Sequence, residues 1–391
     1  MKSYLIESLA PLVFRSGKPF GSKMSAQDMI FPLPSAGAGL IRSLSITQGK
    51  IDFKEHRCKL DHPHYHQLLS IKSYGVYLAE YSDDTIIKLL VPKPANSLYV
   101  EQDNQIKLVR LAPKALGDDC GSDLPNHLLY VQTVDKDGNF KEIKGKPKSG
   151  VNYWSLDDVL AWQSGKNLSY EDIDKNGVTS IPTDIRTHVA IDDATLSSED
   201  GRLFQTASYD LGYQVKSHHQ GFDNKRLGFV IFSDQQLEKD LATLGGERRL
   251  SNFKETTVSL PTLIQQADVD KINKANGFSL TFITPCIFAN GYLPSWIDET
   301  TMEGKLPDSE IKVRLKAAAI DRWQAVSGWD SLLWQPKAIR KAVSAGSVYW
   351  FELVDSIDLP TLQRLAMPIA EDYYDQNDGF GMALIAPFSF N

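Results

Sequence analysis

The chain has 391 residues, enough for two domains of the usual size of about 100–200 residues. Hydrophobic residues make up 42% and charged residues 23%, which excludes wholesale disorder. A net charge of −7 excludes a uniformly basic nucleic-acid coat but leaves room for a local basic groove. Cys58, Cys120 and Cys286 lie far apart, fit no metal or redox spacing and leave one thiol unpaired, which points to a reducing compartment. Glu7 interrupts any signal-peptide core, and the most apolar window, Phe278–Ala289, is short for a bilayer span and holds Pro285. A soluble, cytoplasmic protein with no membrane partner is expected.

In chain order, Tyr4–Phe14 has apolar strand character. A glycine- and proline-bearing loop leads to a helix whose expected N-cap is Ser35 and whose apolar positions Leu40, Ile41 and Leu44 recur at helical spacing. Strand, loop and capped helix is how a β-α-β-β-α-β unit begins. Further strands are expected over Ser73–Glu80 and Leu128–Val134, the latter turning through Asp135–Asn139. Lys141, Lys144, Lys146 and Lys148 against Glu142 mark an exposed basic loop. Residues 151–210 show no continuous core pattern and read as an insertion projecting from the first domain. A second strand-rich pattern runs from Arg226–Phe232 through a helix near Leu260–Lys271, the strand Phe278–Thr284, the strand Ser347–Leu353 and the helix Leu359–Leu365 to a last strand, Gly379–Ile385. The order suggests α+β and two copies of one architecture, without a residue-level repeat.

Several constellations bear on chemistry. Gly37 and Gly39 let a backbone or a phosphate approach the helix start, with Arg42 two turns in; tight helix-on-sheet packing explains the same glycines. No Gly-Lys-Ser/Thr follows, so this is not an NTPase phosphate loop. Gly245-Gly246-Glu247-Arg248-Arg249 combines absent side-chain bulk with forked donors suited to phosphate, or is a glycine turn before a solvated charged strand. Residues 312–341 carry seven cations against Asp321 and Asp330, with Trp323, Trp329 and Trp334 interleaved. Aromatic faces beside cations suit stacked bases, while core burial is expected to claim at least two of the three tryptophans. His62, His64 and His66, with Cys58 upstream, would share one face of a strand and offer zinc three imidazoles, but Pro63 argues for a loop. His218 or His219 offers general acid–base chemistry for RNA cleavage, with no companion nucleophile at a telling spacing. Asp172–Gly177 begins like a calcium loop, yet its twelfth position is Thr183, so a hydrated turn is expected.

Read together, Phe14-Arg15-Ser16-Gly17-Lys18-Pro19-Phe20, Pro32-Leu33-Pro34-Ser35 with Gly39 and Arg42, Gly245-Gly246-Glu247-Arg248, and Ala345-Gly346-Ser347-Val348-Tyr349 stand in a known order. The chain resembles the RAMP superfamily of CRISPR-associated proteins, and within it the family of third subunits of type III-B (Cmr) effector complexes. That resemblance implies two ferredoxin-like (RRM-like) domains, expected over residues 1–218 and 219–391, with an inserted arm at about 140–210. It implies a non-enzymatic, cofactor-free subunit that grips the 5′ repeat-derived tag of the guide RNA, beside the large polymerase/cyclase-like subunit and the RAMP backbone subunits. Ser35, Gly37, Gly39 and Arg42 would line the tag surface of the first domain, and Gly245, Gly246, Arg248 and Arg249 that of the second. Arg186 would lie on the arm, and Gly379 and Gly381 in a slight glycine-rich loop. Metal-independent endoribonuclease action on precursor RNA stands as the alternative, and a zinc enzyme built on His62, His64 and His66 as a third.

Overall fold

In chain order the first element is the strand Lys2–Ser8, whose Tyr4, Leu5 and Ile6 are all fully buried. Side chains on both faces of a strand can be buried only when both faces of its sheet are covered. The computed structural model describes residues 1–15, 29–53, 57–117, 119–125, 128–212 and 226–390. Among these, strands outnumber helices by 22 to seven, a mixed α+β chain dominated by antiparallel sheet.

The chain divides into two units, each drawn from three separate stretches. The first unit comprises Met1–Ile87, Ile181–Val258 and Ala325–Arg340. At its centre Lys2–Ser8 pairs antiparallel with Arg226–Ser233, Tyr4 opposite Ile231, and on its other side with Leu250–Thr256, Tyr4 opposite Glu255. Arg226–Ser233 in turn pairs with Ser73–Ser82. Counted along the chain, these four strands therefore stand in the order fourth, first, third, second. The helix Pro34–Thr47 packs on this sheet, because Gly37 presents no side chain: a Cβ there would sit 2.6 Å from Val76 Cγ2. The crossover from the third strand to the fourth contains no helix, only the short strand Asp240–Thr243 paired with Leu250–Thr256.

The second unit comprises Lys88–Ser180, Ser259–Gln324 and Lys341–Asn391. Its main sheet is built from Gly277–Phe282, Lys312–Ala319, Val348–Leu353 and Ala383–Pro387, again antiparallel and again in the order fourth, first, third, second. Here the helices Leu359–Leu365 and Tyr373–Asp378 lie between the third and fourth strands, whereas the connection from first to second has none. Gly346 of the Ala-Gly-Ser-Val-Tyr run takes φ +94, and a Cβ on it would meet the Lys93 carbonyl oxygen at 2.4 Å, so this turn has no room for another residue.

Several expectations from the sequence change. A single cut at 218/219 falls outside the described residues, and Arg226–Thr256, expected in the second domain, supplies three strands to the first unit's sheet. Most of residues 151–178 is not a projecting arm: Trp154 and Trp162 are buried, their rings 5.6 Å apart, and Trp154 Nε1 donates to the Tyr99 hydroxyl at 2.7 Å. The period was obscured because this stretch changes from the strand Tyr153–Ser155 to the Ser155-capped helix Leu156–Gln163 within three residues. Residues 172–176 belong to the helix Tyr170–Asn176, closed by a capping box between Ser169 and Asp172, and not to a hydrated turn. The helix expected near Leu260–Lys271 is Gln266–Ala275. Ser35 is not an N-cap, since Pro34 opens the helix at its first position and Leu33 stands before it.

Candidate nucleic-acid interface

Beyond Ser8 the chain bends at Leu9 and Ala10, and from Leu12 its backbone is claimed by two different partners. The Leu12 N–H donates to the Tyr209 carbonyl at 2.9 Å and the Tyr209 N–H returns to Leu12 at 2.8 Å. The Gly246 N–H donates to the Val13 carbonyl at 2.8 Å. Segment 12–15 is thus held between the root of the hairpin Thr183–Ile191/Ser198–Tyr209 and the turn at residues 245–249.

That turn is dictated by its glycines. Gly245 has φ +77, and a Cβ would lie 2.5 Å from the Val13 oxygen. Glu247 and Arg248 follow with φ 60 and 50, two successive left-handed residues that aim their side chains outward. Glu247 is shared by two arginines: Arg249 Nη2 approaches it at 2.8 Å and Arg15 Nη2 at 3.7 Å. All three side chains remain substantially exposed, so these pairs add little to stability. Arg249 Nε is shielded from solvent and has no hydrogen-bond acceptor among the described residues. With Arg15, Arg248 and Arg249 against Glu247, the turn presents a net excess of positive charge in the first unit.

The hairpin Thr183–Ile191/Ser198–Tyr209 is exposed on both faces over most of its length. Its register sets Val189 opposite Leu203 and His188 opposite Phe204. By the two-residue alternation of strands, Ile185, Val189, Ile191 and Leu203 line one face, and Arg186, His188 and Phe204 the other. The His188 and Phe204 rings stack with centroids 5.2 Å apart, and Arg186 Nε donates to Asp184 at 2.8 Å.

The remaining site expectations separate. Arg42 is 8% exposed; its Nε donates to the Leu68 carbonyl at 2.9 Å and its Nη2 to Leu69 at 3.2 Å. It ties down the C-terminal turn of the helix Pro63–Leu69 and is not on a ligand surface. Gly37 is packed inward, Ser35 is half-buried, and Gly39 faces open space, where a Cβ would meet nothing within 4 Å. Gly245 and Gly246 belong to the first unit, not the second. Gly379 and Gly381 are buried: Gly379 ends the helix Tyr373–Asp378 at φ 93, and a Cβ on Gly381 would meet Ala370 N at 2.6 Å. They are packing glycines, not a ligand loop.

His62, His64 and His66 are not on a strand or in a loop. His62 caps the helix Pro63–Leu69 by accepting the His64 N–H at 3.2 Å, and among the described residues no three His, Cys, Asp or Glu side chains gather as a metal cage. His218 and His219 lie outside the described residues. Trp323, Trp329 and Trp334 are all exposed, against the expectation that the core takes two of them. Trp329 and Trp334, on either side of a tight turn, meet edge to face at 5.8 Å, with Arg57 stacked 4.6 Å from the Trp334 centroid. Trp334 itself has φ 57, an uncommon conformation for a bulky residue. Buried Asp330 props the turn, accepting the Tyr65 hydroxyl and the N–H groups of Leu332 and Leu333, each at 3.0 Å. Sequence spacing could not separate solvent from core here, because strands only two residues long carry no readable alternation.

The family model described as CRISPR-associated protein (Cas_Cmr3) matches residues 4–387. Among solved structures, a chain of a type III-B Cmr-beta complex bound to cognate target RNA and AMPPnP is similar at 17% identity, with 89% of this chain and 86% of that chain covered and a TM-score of 0.47. A chain of the Cmr-beta complex bound to cognate target RNA is similar at 16% identity, covering 98% and 96%, with a TM-score of 0.48. No curated protein matches. Among the described residues no helix is long and apolar enough to cross a membrane.

Proposed function

The chain belongs to the CRISPR-associated Cas_Cmr3 family, and from that premise we propose that it is a non-catalytic subunit of a type III-B RNA-guided effector complex, holding the 5′ repeat-derived tag of the guide RNA. In this reading it docks the large polymerase/cyclase-like subunit and neighbours the RAMP backbone subunits. The two units are ferredoxin-like in this reading, which is supported by the order fourth, first, third, second of four antiparallel strands in each and by helix in one of the two crossovers.

The observation that carries the reading is the turn at 245–249. Glycines bring its backbone against segment 12–15, and left-handed residues present Arg248 outward beside Arg15 and Arg249. Unpaired RNA is held by such arginine forks and glycine-lined passages, with exposed aromatic rings as stacking platforms. The hairpin 183–209 offers Arg186, His188 and Phe204 on one face from the same unit.

Replacing Arg248 and Arg249 together by alanine is expected to weaken retention of the guide in the reconstituted complex. The dependence of log K on log salt should flatten by about 1.4, about 0.7 for each lost phosphate contact on a single strand. Retention and slope equal to the parent protein would refute the assignment. The non-catalytic part is tested separately: purified chain incubated with repeat RNA without metal is expected to leave it intact, and a product abolished by His219→Ala would establish the endoribonuclease instead.

A further inference from the structure

A groove in the second unit, separate in residues from the turn at 245–249, has a volume of about 560 Å³. Its walls come from the sheet of Ser97–Gln102, Gln105–Lys114 and Tyr130–Val134, together with residues 141–144 and Trp162, Asn167 and Leu168. Five cations line it: Lys107, Arg110, Lys136, Lys141 and Lys144. Against them stand Asp135 and Glu142, and Asp135 is engaged in its own turn, where Oδ1 accepts the N–H groups of Asp137 and Asn139 at 2.9 Å.

Arg110 is fixed in the wall. Its guanidinium carbon lies 3.6 Å from the Trp162 ring centroid, Nη1 donates to the Trp162 carbonyl at 2.7 Å and Nη2 to Lys166 at 3.0 Å. Burial lowers its pKa to about 10, which still leaves it cationic at neutral pH. The positive charge is therefore built into the groove. Lys136, Lys141 and Lys144 are exposed and supply mobile point charges at the rim.

We propose that this groove binds the sugar–phosphate backbone of single-stranded RNA without reading its bases. A basic groove that tracks the backbone is the electrostatic half of single-strand recognition. The aromatic half is missing here, because Arg110 covers the Trp162 ring and Trp162 is itself buried. Ile143 and Leu168, both half-buried, lie among the cations and give ribose an apolar surface, which a run of carboxylates would leave unused. Arg110, whose fork would best match a carboxylate, already commits it to two carbonyls.

The test uses the full chain, a 20-nucleotide oligouridylate without repeat sequence, and anisotropy titrations at several salt concentrations. The triple variant Lys136→Gln/Lys141→Gln/Lys144→Gln is expected to bind at least about tenfold more weakly at moderate salt and to flatten the salt slope by about 2. Oligocytidylate should behave like oligouridylate. The Arg248→Ala/Arg249→Ala variant should keep the lysine-dependent share, so failure of the tag assignment and failure of the groove are read apart. No binding of oligouridylate, or an unchanged affinity and slope in the triple variant, overturns the proposal. So does a polyglutamate peptide whose binding depends on these lysines while the RNA's does not.

Discussion

Gly37, Gly39 and Arg42 lie within two helical turns, and one motif would give them one role, yet each meets a different environment. Gly37 is where the helix Pro34–Thr47 touches the sheet, and the nearest obstacle to a Cβ is the β-branched Val76, which has little rotamer freedom to yield. Gly37→Ala is expected to cost about 1–3 kcal/mol in chemical denaturation, the range for overpacking. Gly39 faces open space in a helix interior, so Gly39→Ala should stabilise the fold by about 0.5–1 kcal/mol. Equal effects of the two substitutions would contradict this packing. Arg42 is long enough to turn back and satisfy the carbonyls that end a neighbouring helix, and that buried role removes it from the candidate RNA surface.

Among the elements, the strand Lys2–Ser8 carries Glu7 one residue before its end, and Glu7 ties neighbouring strands together. Its carboxylate accepts the Tyr81 hydroxyl at 3.1 Å, Asn252 Nδ2 at 3.1 Å, Arg226 Nη1 at 3.3 Å and Lys254 Nζ at 3.4 Å. Burial acts to raise the Glu7 pKa, but Asn252, Lys254 and Tyr81 together outweigh it and hold the group below its ordinary value of 4.5. A carboxyl with a lowered folded pKa stabilises the protein above its unfolded pKa, and that contribution is lost as pH falls through the folded value. The stability difference between the parent protein and Glu7→Gln should therefore be full at pH 7 and shrink as pH drops below 4.5, followed by urea titration at each pH. A pH-independent difference would mean that packing, not charge, is what the substitution removes. The hairpin 183–209 is the opposite case: with both faces exposed, its sequence is free of core demands and can carry Arg186, His188 and Phe204.

For the whole molecule, the discontinuity of the two units has a consequence for folding. The first unit's sheet needs Arg226–Ser233 between Lys2–Ser8 and Ser73–Ser82, so its second and third strands are joined only across more than a hundred residues of chain. A fragment ending at residue 218 lacks Arg226–Ser233 and Leu250–Thr256, so Lys2–Ser8 loses both of its partners and Ser73–Ser82 loses one. Expressed alone, fragment 1–218 is expected to be insoluble or to lack a cooperative melt. A soluble fragment with a cooperative transition would show that the first unit does not depend on the later strands.

Local chemistry makes much of this legible: the strands at 73, 226 and 348, the helix Leu359–Leu365 and the glycine turn at 245–249 follow from apolar period and turn residues, while the family was legible only through the resemblance of its ordered motifs. Those signals act over a few residues, so the sequence carries them directly. What it did not carry was partnership: that residues 226–256 complete the first unit, that Arg42, Gly379 and Gly381 face inward while three tryptophans face outward, and that lysines from separate turns share one groove with Arg110. Burial and charge convergence depend on which distant stretch of chain arrives alongside, and only the tertiary structure decides that.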